Sequence, residues 1–205
     1  MDHDRTLHFY DSHATEVTNS YEHVDFSRIV DQFATTLVSG SRVLDLGCGS
    51  GRDAARLSSG GFDVVAADGS EAMLARTTAL HPELAGNTVH VVLPSALPFA
   101  TDAFDGVMSW AVIMHVEEAA LPDVFGELAR IVAKNGVLGY SVNTARNGLN
   151  AAGSDSHGRH FTCLPAEAWE NLHGAVGFRT IHAEETDDIV GRHGIRWATF
   201  FARRD

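Results

Sequence analysis

Residues 43–53 read Val-Leu-Asp-Leu-Gly-Cys-Gly-Ser-Gly-Arg-Asp, with Gly47, Gly49 and Gly51 at every second position behind Asp45. Glycines bend the chain sharply and let a ligand approach the backbone, and a helix opening after them offers free N–H groups. The expected ligand is nucleotide-like. A pyrophosphate cradle uses the spacing G-x-G-x-x-G. This chain has G-x-G-x-G behind an acid that repels phosphate, which makes an NAD-dependent dehydrogenase a weaker reading. Asp45 suits a ligand with an ammonium or sulfonium group. Asp68 closes the next apolar run, 23 residues on, where a carboxylate can accept hydrogen bonds from both hydroxyls of a ribose.

Other reactive side chains are fewer. His115 follows the apolar run 104–112 and could take a proton near neutral pH, or simply pack locally. Cys48 has no basic neighbour in sequence and reads as a small filler rather than a nucleophile. His157, His160 and Cys163 have zinc-like spacing, but they sit in a glycine- and serine-rich stretch with no matching second pair. No metal is expected.

The elements that position these residues follow from periodicity. Phe26, Ile29, Val30, Phe33 and Leu37 form a helical stripe over 26–38. Strands are predicted at 42–46, 63–68, 88–93, 104–112 and 136–143, with helices at 51–59, 70–81 and 121–133 between them. Ser70 is placed as an N-cap and Pro122 in a first turn. A polar stretch at 144–163 reads as a mobile loop near the active face. A helix at 165–176 and strands at 178–185 and 195–203 complete the chain. The expectation is one α/β domain over 1–205, a Rossmann-like, doubly wound sheet of seven strands. It is mostly parallel with an antiparallel last strand, and helices cover both faces.

Composition bounds the partners. The chain has 205 residues, 44% of them hydrophobic and 20% charged, with a formal net charge of −12. That charge disfavours sequence-independent binding of nucleic acid, which needs surplus Lys and Arg. Two cysteines give no disulfide framework, and no apolar run reaches the length of a membrane span. A cytoplasmic protein without membrane contact is expected; the oligomeric state is not indicated.

Taken in order, "VLDLGCGSG", "VVAADGSEAML" and "LPFATDAFDGVMSWAVIMHV" resemble the class I S-adenosylmethionine-dependent methyltransferases over residues 26–142. A looser likeness, in "FYDSHATEV", "GRHFT" and "GRHGIRW", points to compact bacterial members, among them tellurite-resistance-type enzymes. The resemblance implies S-adenosylmethionine as cofactor and S-adenosylhomocysteine as product. It implies that Asp45, Gly47, Cys48, Gly49 and Gly51 hold the methionine part, Asp68 the ribose, and that Gly69 and Met73 flank the adenine. Ser95 stands where family members often place an acid toward the adenine amino group, so its hydroxyl or the backbone of Ala96 would take that contact. Trp110 and Ala111 would lie beside the sulfonium and the incoming substrate, which makes Trp110 and His115 the catalytic candidates.

The acceptor is expected to be a small molecule. The segment "SWAVIMHV" lacks the Asn-Pro-Pro-aromatic tetrapeptide of enzymes that methylate amino groups of DNA and protein glutamine, and little chain lies outside the core. Two alternatives stand: a methyltransferase for RNA or protein, and a non-catalytic cofactor-binding sensor or scaffold whose acceptor pocket is filled by side chains such as Trp110. Tyr10 and His13, within the first 25 residues, form either a lid or a frayed terminus. Arg159, Arg192, Arg196 and Trp197 would border the acceptor, where an arginine could pair with a carboxylate. Surface charge and strand packing are the plainer reading of those four.

Overall fold

The computed structural model describes residues 2–205. Seven strands form one sheet: β1 (Arg42–Leu46), β2 (Asp63–Asp68), β3 (Thr88–His90), β4 (Phe104–Trp110), β5 (Val132–Arg146), β6 (Phe178–Asp187) and β7 (Ile195–Arg204). Their order is β3-β2-β1-β4-β5-β7-β6, with β7 antiparallel to both its neighbours and the other pairings parallel. Strand order reverses between β1 and β4, and such a switch point opens a crevice beyond the carboxyl ends of the strands.

The helices are α1 (Asp2–Glu22), α2 (Ser27–Ala34), α3 (Arg52–Ser59), α4 (Glu71–Leu80), α5 (Leu121–Ile131) and α6 (Ala166–Gly174). Alternation along the central strands supplies two cores. On one face Val43 of β1 meets Ile29, Val30 and Phe33 of α2 and Ala54 and Leu57 of α3. On the other, Leu44 and Leu46 join Val124, Phe125 and Leu128 of α5 and Trp169 of α6. Burial on both sides is why these strands read as nearly continuous apolar runs.

Several boundaries differ from the sequence reading. β3 stops at His90 rather than residue 93, because its ladder with β2 ends where β2 ends, at the Asp68–His90 pair. β5 begins at Val132 instead of 136 and takes in an irregularity opposite Phe104 and Gly106. It also runs on to Arg146, so the stretch expected as loop from 144 begins as strand. The helix expected to reach residue 38 ends at Ala34, where the Thr35 and Thr36 hydroxyls donate back to the carbonyls of Gln32 and Phe33. The largest departure is α1. Its buried residues include Thr6, Ala14 and Thr18, too small and polar a set to print an apolar stripe in the sequence.

Candidate active site

The crevice at the switch point holds a cavity of about 400 Å³. Its floor is the turn after β1. Asp45 is 2% exposed, and its Oδ2 has no hydrogen-bond partner among the described residues. Burial pushes its carboxyl well above the usual range, and the nearby Asp53 and Asp68 carboxylates add to this. Asp68, at the end of β2, accepts from the Gly49 N–H with one oxygen and from the Ser70 N–H with the other, each at 2.9 Å. Burial raises its pKa too, against these bonds.

Two of the three glycines are also required by the packing around the turn. Gly47 has φ +80°, and a Cβ there would lie 2.1 Å from a Val112 methyl; Gly51 has φ +86°, and its Cβ would lie 2.5 Å from Thr77 of α4. The N–H groups of Gly47 and Cys48 donate to the Ala67 carbonyl, and that of Gly51 to Cys48. The turn is therefore cleared so that the loop after β4 and helix α4 can close upon it. Gly51 does not reach the cavity wall, while Asp45, Gly47, Cys48 and Gly49 do. Cys48 is buried beside the Thr77 hydroxyl at 3.7 Å, and burial raises its thiol pKa strongly.

Gly69 and Met73 also line the cavity, together with Trp110 and Ala111 at the end of β4. The Trp110 indole packs edge-on against Phe26, Phe33 and Phe201, which leaves the cavity open. Ala111 has φ +61°, and its N–H donates to the Ser141 side chain and carbonyl. Ser95 and Ala96 are exposed and off the wall, because the chain turns away after β3; Val91 and Leu93 line the cavity in that stretch.

α1 forms one wall through Thr6, Leu7, Tyr10 and Tyr21. It is tied down by a Ser70–Asp11 hydrogen bond at 2.5 Å, and by Arg52, which donates to the Tyr21 and Val24 carbonyls. Sequence reading left this segment between lid and frayed end; it is a docked helix. His13 points elsewhere, stacked on Phe9 with Nδ1 bonded to the Phe9 carbonyl.

His115 sits in a short 3-10 turn, Ile113–His115, and is 8% exposed. Its Nδ1 lies 2.6 Å from the His160 carbonyl, which can only accept, so Nδ1 carries the hydrogen. Nε2 therefore presents its lone pair to the Tyr10 hydroxyl at 3.1 Å. Burial lowers the imidazole pKa to about 4, more than offsetting the His160 bond. Burial likewise raises the Tyr10 phenol, opposed by the Arg159 guanidinium.

The segment after β5 is cross-linked by the Asn150 and Asp155 side chains, which accept backbone N–H groups, and by the Thr162 N–H bonded to the Met114 carbonyl. It brings Arg159 and Phe161 to the cavity. Arg192 and Trp197 arrive from the other side and share Asp188, at 2.6 and 3.0 Å. Burial would raise Asp188, but these bonds hold it well below the carboxylate range. Arg196 is not on the wall; it faces Glu185 and Asp187 on the sheet edge. His157 packs on Phe9 and His160 bonds Thr162. Among the described residues no group of three or more His, Cys, Asp or Glu is placed to hold a metal ion. None of the helices described is long and apolar enough to cross a membrane. Sequence reasoning missed Tyr21, Arg146 and Phe161, whose places on the wall depend on how α1 and the end of β5 fold back.

Residues 43–136 match a family model described as a methyltransferase domain. No curated protein matches the chain. Among solved structures, the chain is similar to the 1,6-didemethyltoxoflavin-N1-methyltransferase of Burkholderia thailandensis, with bound 1,6-didemethyltoxoflavin and S-adenosylhomocysteine. Identity is 17%, TM-score 0.81, over 98% of this chain and 88% of that one. It is similar to a TehB-like methyltransferase of Corynebacterium glutamicum (15%, 0.71, 95% and 99%). A third likeness is to the structure of the Haloferax volcanii Trm112 methyltransferase activator in complex with its methyltransferase (15%, 0.73, 97% and 96%). At these identities the likeness is one of fold.

Proposed function

We propose that this chain is a class I S-adenosylmethionine-dependent methyltransferase and that it methylates a small molecule held between Trp110, His115 and α1; the methyltransferase-domain match over residues 43–136 and the shared fold support the first part. The observation that carries the reading is the shape of the cavity. It lies beneath α1 and the segment after β5, and it continues past Trp110 and Ala111 to His115 and Arg159. The cofactor fills the end at Asp45 and Asp68, and the acceptor end is walled by α1 and the segment after β5, which favours a small ligand over a polymer that needs an open surface. The Burkholderia enzyme of the same fold binds a small heteroaromatic acceptor, which agrees with this reading.

The residues present fit the cofactor. Asp45 offers a buried carboxylate oxygen with no partner among the described residues, suited to a cationic group, and Asp68 retains acceptor capacity for a ribose diol. Bound there, S-adenosylmethionine supplies a methyl carbon already activated for displacement: the acceptor's electron pair makes the new bond and the sulfur–carbon pair stays on sulfur. The protein's work is then positioning and exclusion of water. α1 and Phe161 close the acceptor side. Where the acceptor carries a proton, the Tyr10 oxygen can take it while its own proton passes to His115 Nε2, a lone pair that the His160 carbonyl keeps available.

The test is to incubate the protein with methyl-labelled S-adenosylmethionine and a cell extract, then separate small molecules from polymer. Label in a small compound is the expected result. Label in RNA or protein would overturn the acceptor class, and tight cofactor binding with no transfer to either fraction would favour a binding module.

A further inference from the structure

The charged groups on the cavity wall pair off almost completely. Arg28 meets Glu184 at 2.9 Å, Arg52 meets Asp53 at 2.8 Å, and Arg159 and Arg192 meet Asp155 and Asp188 at 2.6 Å each. Three groups remain. Asp45 and Asp68 lie at the end assigned to the cofactor, and Arg146 lies at the other, where β5 ends.

Arg146 forms no ion pair among the described residues, and its buried Nε has no hydrogen-bond partner. Its one side-chain contact of that kind is a long 3.5 Å approach to Asn143 Oδ1, and Asn143 has a buried, unpartnered Nδ2 of its own. The guanidinium is stacked 3.9 Å from the centre of the Phe161 ring, which also carries Arg159 at 5.4 Å. Burial and the positive charges of Arg159 and Arg192 lower the Arg146 pKa. A half-buried cation crowded by like charges and short of acceptors is costly to keep unless an anion joins it.

We propose that Arg146 is the anion receptor of the acceptor site, and that the methyl acceptor is a small monoanion whose carboxylate, on an apolar or aromatic body, docks against its guanidinium. This rests on the methyltransferase reading and names the acceptor's class. Arg146, Arg159 and Arg192 face two carboxylates, Asp155 and Asp188, and the single surplus charge matches a monoanion rather than a phosphate dianion. The planar guanidinium fork fits a carboxylate with two parallel hydrogen bonds. Phe161 beneath it and Trp110 on the same wall offer an apolar bed for the rest of the molecule. The cavity is thereby polarised, acidic toward a cationic cofactor and basic toward an anionic acceptor.

The experiment follows the Arg146 Nε–H signal by NMR in protein saturated with S-adenosylhomocysteine, during titration with benzoate, its neutral isostere benzamide, and inorganic phosphate. Benzoate should shift the signal saturably and benzamide should not. Arg146→Gln should weaken benzoate binding at least tenfold, with Arg146→Lys in between. A signal unmoved by benzoate, or equal benzoate affinity in Arg146→Gln, would overturn the proposal; a saturable response to phosphate alone would replace the carboxylate with a phosphate group and overturn the monoanion. Calorimetry of S-adenosylhomocysteine with wild type and Arg146→Gln separates the two levels. Loss of cofactor binding in both would refute the underlying reading, whereas intact cofactor binding without a benzoate response refutes the anion site alone.

Discussion

Asp68 carries two loads that substitution can separate. Its carboxylate accepts the N–H of Gly49 from the turn after β1 and that of Ser70 at the start of α4, both at 2.9 Å. Removing it in Asp68→Ala strands two backbone donors in a half-buried site. At about 1–2 kcal/mol for each partly rehydrated donor, the expected loss is roughly 2–4 kcal/mol of stability. For a chain of this length that is a fall in Tm of roughly 4–16 °C. Asp68→Asn keeps one acceptor oxygen and opposes an amide N–H to the other donor, so it should lose about half as much. Affinity for S-adenosylhomocysteine should fall at least tenfold, about 1.4 kcal/mol, in both variants. Thermal denaturation without ligand and calorimetry with it read the two effects independently. An unchanged Tm in Asp68→Ala would refute the bracing role, and unchanged affinity in well-folded Asp68→Asn would refute the ribose assignment.

His115 has a folded pKa of about 4 against 6.5 unfolded. Its contribution is therefore complete above the unfolded value and disappears as pH falls from about 6.5 through 4. Wild type should lose roughly 3 kcal/mol over that interval, and His115→Gln should lose markedly less in pH-dependent melts. His115→Ala should lower turnover far more than cofactor affinity, and equal turnover would leave the imidazole a packing role. Burial raises the Asp45 pKa, so Asp45 costs stability as pH rises through its folded value. Asp45→Asn should melt higher than wild type near neutrality yet bind S-adenosylhomocysteine more weakly; identical melting curves would contradict the cost of the buried charge. Ellman's reagent should label the half-exposed Cys163 well before the buried, Thr77-bonded Cys48, and the opposite order would show the glycine turn to be open.

The region from β1 through α4 was legible because its strands are buried on both faces and its helices carry clean punctuation. Ser70 caps α4 as its position suggested, its hydroxyl accepting from the Met73 N–H. Asp45 and Asp68 reach the cavity because each stands at or next to the end of an apolar strand, a place visible in the sequence. The glycine turn and its sharp bend were legible, as the positive φ of Gly47, Gly49 and Gly51 shows, whereas the close approach of Val112 and Thr77 was not, since both are distant in sequence. The arginines show the same limit. Arg192 and Arg196 look alike in the chain, but one bends onto Asp188 at the cavity and the other lies along the sheet edge. Arg146 gave no signal at all, because what distinguishes it is the partner it lacks in three dimensions.

A crystal structure with S-adenosylhomocysteine bound tests the central claim most directly. The ribose hydroxyls should lie within hydrogen-bonding distance of Asp68, the amino group on the Asp45 side, and the sulfur should face the space bounded by Trp110, His115 and Arg146. A nucleoside lodged against Arg146 and Phe161, with Asp45 and Asp68 left without contacts, would contradict the assignment of both ends of the cavity.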